Sequence, residues 1–384
     1  MRKTISQERV IRNARIVLKD EVVLGTVHIV AGRIASVDSG PSSVSGAEDW
    51  EEHWLLPGLV ELHTDNLEKH FNPRPGVQWP GLPAVLAHDA QIAAAGITTV
   101  FDALALGEVK PGGNRTEQLQ HMLEAINVAR ERGLLRAEHL LHLRCELSTE
   151  GVPDMFDALA RDAHVRIVSL MDHTPGQRQF TKLSKYREYY QGKYGLTDAE
   201  MDAFTVRQID NQQRFSVANR RAVVALSRAR GLSLASHDDA TPEHVAEAVA
   251  DGVSLAEFPT TLLSARTAHA QGLGVLMGAP NVVRGGSHSG NISALDLARA
   301  DVLDCLSSDY VPSSMLHAAF VLADQAGWSL PRAVASVSST PARLAALADR
   351  GEIATGLRAD LIRVHESHGH PVVVEAFREG IRVA

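Results

Sequence analysis

Only two cysteines, Cys145 and Cys305, occur in 384 residues. Two are too few for a disulfide framework and suit a reducing compartment, so a cytoplasmic location is expected. No run of about 18 apolar residues exists, and the N-terminal stretch MRKTISQERVIRNARIVLKD has no continuous apolar segment. These absences argue against a membrane span and against a secretory signal. There is no basic excess either: the formal net charge is −8, which removes the electrostatic footprint of a nucleic-acid binder. A Walker-type GxxxxGK[ST] motif is also missing, so the chain is not a P-loop nucleotidase. What is present is an ordinary globular composition, 45% hydrophobic and 22% charged, with 18 histidines. Most of these histidines are expected to be solvated or hydrogen-bonded groups with no ligand role.

The pattern changes twice along the chain. Residues 8–55 alternate apolar and polar positions, as in Val27-His28-Ile29-Val30, and read as antiparallel strands. The C-terminal segment ADLIRVHESHGHPVVVEAFREGIRVA has the same character, and neither piece is large enough to hold a core alone. The two termini are therefore expected to combine into one small composite β-sandwich. Between them, short apolar runs alternate with helical stretches: LVELHTD, ITTVFDAL, HLLHLRCEL, VRIVSLMDH, LSLASHDD, SLAEFP, GVLMGAP and VLDCLSSD. Apolar strands separated by helices imply parallel strands buried on both faces, and eight of them close a (β/α)8, TIM-like barrel. The expected α/β organisation is residues 1–55 and 349–384 for the small β domain and 56–348 for the barrel. Residues 174–230 are about twice the length of a normal βα unit. They read either as a surface helical insertion or as a lid over the barrel mouth.

The chemistry is written at the ends of these runs. LVELHTD ends in His63 and Asp65, HLLHLRCEL near Glu146, VRIVSLMDH in His173, LSLASHDD in His237 and VLDCLSSD in Asp309. C-terminal strand ends form one ring around one mouth, so six metal-competent side chains would converge there. A strand repeats every two residues, so His63 and Asp65 are expected to share a face and grip one ion. Imidazole and carboxylate donors suit Zn, Mn or Fe and do not choose among them by type alone; Zn is the first expectation. Glu146 could bridge two ions, and Asp309 could take a proton from an activated water. Taken singly, each residue has a bland role open to it; Asp309, for one, could cap the helix after SSDYVPSS. The glycine-rich loop NVVRGGSHSGNIS, with Arg284 and His288, could approach an anion closely. Lys69 and His70 after the first strand, and Arg178 and Lys182 after the fourth, are further candidates for phosphate contacts. A solvated face is the alternative for each.

The segments LPGLVELHTD, AAAGITTVFDAL and SSTPARLAALADRGEIATGLRADLIRVH resemble the amidohydrolase superfamily over nearly the whole chain. That resemblance implies the same barrel, a composite β domain and one or two divalent metals. Two departures stand out. His63-Thr64-Asp65 replaces the superfamily's usual His-x-His, and Glu146 stands as the candidate for its carboxylated bridging lysine. In addition, Glu146, His173 and His237 fall on the third, fourth and fifth strands, whereas the superfamily takes its later ligands from strands four, five, six and eight. The first two departures, with HTDNLEKHFNPRPGVQWP, MDHTPGQRQF, ASHDDAT, AEFPTT and GAPNVVRGGSHSGN, resemble the phosphonate-metabolism diphosphatases of the carbon–phosphorus lyase pathway (PhnM type), and the strand order is a point on which the chain does not match the superfamily. The resemblance implies hydrolysis of α-D-ribose 1-methylphosphonate 5-triphosphate to the 5-phosphate and diphosphate. It also implies His63, Asp65, Glu146, His173 and His237 as ligands and Asp309 as ligand and proton carrier. The partner is then a phosphorylated small molecule, and assembly into a homo-oligomer is left open. The rival expectations are another hydrolase of the same scaffold, acting on a cyclic amide, an N-acyl group or an amino-purine or pyrimidine, and a catalytically inactive assembly protein.

Overall fold

A computed structural model describes residues 8–109, 113, 115–180, 183–287 and 290–384. Lys182 and His288 lie outside them.

Strands β1 (Arg9–Val17), β2 (Val22–Val30), β3 (Arg33–Ser39), β4 (Glu48–Asp49) and β5 (Trp54–Pro57) come first. They join β14 (Leu361–Ser367), β15 (His370–Arg378) and β16 (Ile381–Arg382) in one mixed sheet, ordered β16-β15-β14-β5-β1-β2-β3 with β4 beside β1. The two terminal segments meet where β5 pairs antiparallel with β14, Leu56 opposite Ile362. The sheet curls around its own core of Ile11, Ile16, Ile29, Trp50, Leu55, Leu361 and Phe377. Its far ends come together at Gly32, where an added Cβ would stand 2.8 Å from the Glu379 carbonyl oxygen. The sandwich expected from sequence is thus a single curled sheet that encloses a core as a sandwich does.

The eight apolar runs form β6 (Leu59–Thr64), β7 (Ile97–Leu106), β8 (Glu138–Glu146), β9 (Val165–Met171), β10 (Ser233–His237), β11 (Leu255–Glu257), β12 (Gly274–Gly278) and β13 (Cys305–Ser307). Each pairs in parallel with the next. Helices fill the intervals: α1 (Asn66–Phe71), α2 (Gly81–Ala94), α3 (Arg115–Glu131), α4 (Val152–Leu159), α5 (Leu183–Tyr194), α6 (Asp198–Ala229), α7 (Pro242–Ala250), α8 (Leu262–Ala270) and α9 (Ala279–Arg284). Alternation along β8 is the clearest. Leu141, Leu143 and Cys145 pack outward in the helix-covered core, while His142, Arg144 and Glu146 turn inward.

The ring closes between its first and last strands through residues of the mouth itself. Asp309 N–H donates to the His63 carbonyl at 3.1 Å, and Asp65 N–H donates to the Asp309 carbonyl at 3.0 Å. Beneath them the buried Glu61 accepts from His63 N–H at 2.6 Å and from Ser308 N–H, stitching β6 to β13. Burial pushes the Glu61 carboxyl up to about 8.

The long segment after β9 divides in two. α5 lies over the mouth, and its Tyr186 and Tyr190 share an apolar cluster with Val109, Phe180, Met201 and Phe204. A capping box of Thr197 and Glu200 starts α6. Its later turns serve as an ordinary barrel helix: Asn219 bonds the carbonyls of Leu147 and Thr149, and Arg220 pairs with Asp251. Of the two expectations for residues 174–230, the position of α5 over the mouth matches the lid, whereas the later part of α6 is an ordinary barrel helix and not an insertion.

Candidate metal and phosphate site

A cavity of about 550 Å³ opens at the C-terminal end of the barrel strands. All six side chains singled out from the strand ends, His63, Asp65, Glu146, His173, His237 and Asp309, line it. They arrive by different local devices. Register between β6 and β7 slips between Glu61 and Thr64, yet His63 and Asp65 both reach the cavity. Asp65 has already left the strand and stands at the N-cap position of α1, where its side chain makes no capping bond and remains available to the cavity. Asp309 is no helix cap either, because the following helix begins at Ser314 behind Ser313. Glu146 ends the third barrel strand, and His173 and His237 belong to the fourth and fifth, as the sequence order implied.

Left-handed backbone marks the rim. Asp238, Phe258 and Asp309 follow the fifth, sixth and eighth strands with φ of 57°, 52° and 54°. Such conformations cost roughly 1–3 kcal/mol for residues other than glycine and persist where surrounding bonds impose them. Here Asp238 N–H is held by the Glu257 carbonyl and Phe258 N–H by the Leu276 carbonyl, both at 2.9 Å.

The site is crowded with negative charge. Five carboxylates, Asp65, Glu68, Glu146, Asp238 and Asp309, line the cavity. Burial and then Asp65 push Asp309 up to about 7. Glu146 is 2.6 Å from His173 Nδ1. Burial opposes its ionisation, but His173 outweighs that and holds it down at about 2. His173 in turn is pushed up to about 10 against the effect of burial, by Glu146 and Asp238. His173, His237 and Asp238 offer donor atoms within 4.8 Å of one another, as do His63, His142 and Glu257. A surplus of carboxylates beside imidazole donors suits a cation, and these clusters match the donor chemistry of metal sites.

Behind the cavity wall, Glu257 carries much of the order. Its carboxylate receives His63 Nδ1–H at 2.9 Å, His237 Nδ1–H at 3.2 Å and Ser169 Oγ–H at 2.5 Å. Both imidazoles are thereby set with Nε2 as the nitrogen carrying the free lone pair. A second buried network lies under α2. His88 and His139 grip Asp102 at 2.8 and 2.7 Å, His139 reaches Asp89 at 3.3 Å, and His88 receives the Asn66 amide at 3.0 Å. It anchors the residue next to Asp65 and does not border the cavity.

No protein-family profile matches the chain. A curated protein of Escherichia coli (strain K12), alpha-D-ribose 1-methylphosphonate 5-triphosphate diphosphatase, is 50% identical over 376 residues, covering 97% of this chain and 100% of that one. The chain belongs to this diphosphatase family. Solved structures of similar fold include amidohydrolases. An amidohydrolase superposes with a TM-score of 0.64 at 16% identity, with 98% of each chain covered. An N-acetyl-D-glucosamine-6-phosphate deacetylase from Mycobacterium smegmatis gives 0.66 at 14%, with 98% of this chain and 99% of that one covered. A 5-methylcytosine deaminase from Klebsiella pneumoniae gives 0.64 at 14%, with coverage of 98% and 97%.

The cations differ from those expected. Arg284 lines the cavity, but Lys69, His70 and Arg178 do not. Helical rotation explains the first two: Glu68 faces the cavity, and the next two positions turn by about 100° each. Lys69 reaches the Tyr310 carbonyl instead, and His70 bonds Gln91 at 3.0 Å. Arg178 is buried against Asp239 and, at 3.1 Å, Glu247. The cavity's other cations are Arg115, Arg144 and Lys193. Arg144 Nε is buried without a hydrogen-bond partner among the described residues. Glu257 and Arg144 had a readable signal, since each sits in a recognised strand near its C-terminal end. Lys193 had none, because only the lid's fold brings it over the mouth.

Proposed function

We infer that the protein hydrolyses α-D-ribose 1-methylphosphonate 5-triphosphate to α-D-ribose 1-methylphosphonate 5-phosphate and diphosphate. The observation that carries this reading is the 50% identity to a diphosphatase of that name over essentially both full lengths. The cavity supports it chemically, because carboxylates and imidazoles share one chamber with Arg115, Arg144, Lys193 and Arg284. A barrel acting on a neutral amide has no use for that many cations.

In this reading His63, Asp65, Glu146, His173, His237 and Asp309 would hold one or two divalent ions, zinc being the first expectation and Mn or Fe the alternatives, among which donor type alone does not choose. Such ions lower the pKa of water from 15.7 towards about 7 and draw charge from phosphoryl oxygens. Asp309 faces the chamber from the eighth strand and takes the proton of the attacking water. A bond forms from that water oxygen to one phosphorus of the α–β anhydride, the bond from that phosphorus to the bridging oxygen breaks, and the 5-phosphate and diphosphate separate, the bridging oxygen staying with the phosphorus that was not attacked. Arg144, Arg115 and Lys193 offset the charge that grows on the departing oxygens. Cys145 and Cys305, both free and buried, suit the reducing cytoplasm in which we place the enzyme. Phosphorus NMR on metal-supplemented protein with this triphosphate tests the reading: diphosphate should accumulate. Its absence, with a cyclic amide opened instead, would overturn the assignment.

A further inference from the structure

The cavity carries its outer cations at two poles. Arg115 opens α3 behind the second barrel strand, and Lys193 stands near the end of α5 behind the fourth. Both line the cavity from segments that follow the second and fourth strands, on either side of the third. Lys193 Nζ lies over the Tyr189 and Tyr194 rings at 5.5 and 5.8 Å, which aims it from the lid. Arg284 ends α9 after the seventh strand. In a ring of eight strands the seventh lies across from the third, which puts Arg284 opposite the Arg115–Lys193 side. The imidazole and carboxylate donors come from strands one, three, four, five and eight, so Glu146 and His173 share the Arg115–Lys193 side. The Arg115 guanidinium donates to the Gly107 carbonyl at 3.2 Å and its backbone N–H to the Glu108 carboxylate at 2.8 Å, which fixes its position at the cavity wall.

The substrate of the diphosphatase reading, on which this inference rests, is also bipolar. Its 5-triphosphate end carries several charges, and its methylphosphonate ester on C1 has one ionisable oxygen. The cleaved bond lies within the triphosphate and must sit among those donors. Charge matching then orients the molecule, with the stronger pole facing the more highly charged end. We propose that Arg115 and Lys193 bind the departing diphosphate, and that Arg284 binds the 1-methylphosphonate and sets the preference for substrates that carry it. A cavity of about 550 Å³ is of the size that encloses a ligand of this class.

The test compares Arg284→Ala, Lys193→Ala and Arg115→Ala by diphosphate release. The ligands are the methylphosphonate-bearing triphosphate, plain ribose 5-triphosphate as substrate or competitor, and diphosphate as inhibitor. Arg284→Ala should lower kcat/KM for the first by roughly 10- to 100-fold, the range for losing one charge-assisted hydrogen bond. The apparent affinity for ribose 5-triphosphate and the inhibition constant of diphosphate should stay within about threefold. Lys193→Ala and Arg115→Ala should weaken diphosphate inhibition by about tenfold or more and affect both triphosphates alike. Equal losses on both triphosphates in Arg284→Ala, or weakened diphosphate inhibition there, would overturn the orientation. Wild-type protein that releases no diphosphate would instead fail the functional reading, an outcome read before any variant is made.

Discussion

Replacing Glu257 with Gln would separate a merely buried acid from one that organises the metal donors. The carboxylate is 1% exposed and receives three donors, His63 Nδ1–H, His237 Nδ1–H and Ser169 Oγ–H. Burial opposes its charge, but His63 and His142 outweigh burial and keep it ionised. Gln has the same shape but one acceptor oxygen and an amide that only donates. Three donors cannot be matched by that group, so an N–H must face an N–H, or one imidazole must change tautomer and present its Nε2–H to the cavity. Charge-assisted hydrogen bonds are worth about 1.5–3 kcal/mol each, and loss of a partner behind a metal ligand costs about 10–100-fold in metal affinity. Glu257→Gln should therefore bind zinc at least tenfold more weakly by competition with a chromophoric chelator, and its turnover should be only partly restored by excess metal. The reasoning is refuted if the variant keeps wild-type affinity and turnover while its circular dichroism and Tm are also unchanged.

Asp309→Asn should retain bound metal, measured by elemental analysis, while diphosphate release falls by roughly 10²–10⁴-fold; wild-type turnover would remove Asp309 from proton transfer. The Asp89–His139–Asp102 triad predicts a pH dependence of stability. Burial alone would lower His139, but Asp102 and Asp89 push it up to about 9, so its contribution is complete below about 6.5 and disappears as pH rises through about 9. Asp102 and Asp89 are held below their ordinary range, so their contributions exist above it and fade on acidification. In urea denaturation, wild type should exceed His139→Gln by roughly 3 kcal/mol at pH 7 and by clearly less at pH 10; a constant difference would mean no ion triad. Gly351 has φ of 92°, and a Cβ there would lie 2.8 Å from Ser339 Cα and 2.9 Å from the Ser338 carbonyl. Gly351→Ala should cost roughly 2–4 kcal/mol by chemical denaturation, and a loss under about 1 kcal/mol would show that this turn yields.

The sequence by itself determined the barrel and its ring of candidate ligands. Strands buried on both faces must be apolar throughout, so LVELHTD or GVLMGAP stands out from the amphipathic helices beside it. Polar residues that interrupt such runs at one end, as His63, Glu146 and His237 do, are legible because every parallel strand end reaches the same mouth. Alternation held along β8 and brought His63 and Asp65 to one cavity, but the register slip between Glu61 and Thr64 was not legible, since a one-residue slip is invisible in composition. Tertiary structure alone decided which neighbours meet. Glu257 is an unremarked acid in SLAEFP until the sixth strand sets it beneath His63 and His237. Lys69, His70 and Arg178 looked placed for phosphate because they follow ligands in the chain, yet helix rotation and the acids Asp239 and Glu247 take them elsewhere. Lys193 and Arg115 are remote from the ligand motifs in sequence and reach the mouth only because α5 folds across it and α3 starts beside it. Strand identity is a local property of side chains, whereas the direction of a long charged side chain is settled by the packing of the elements around it.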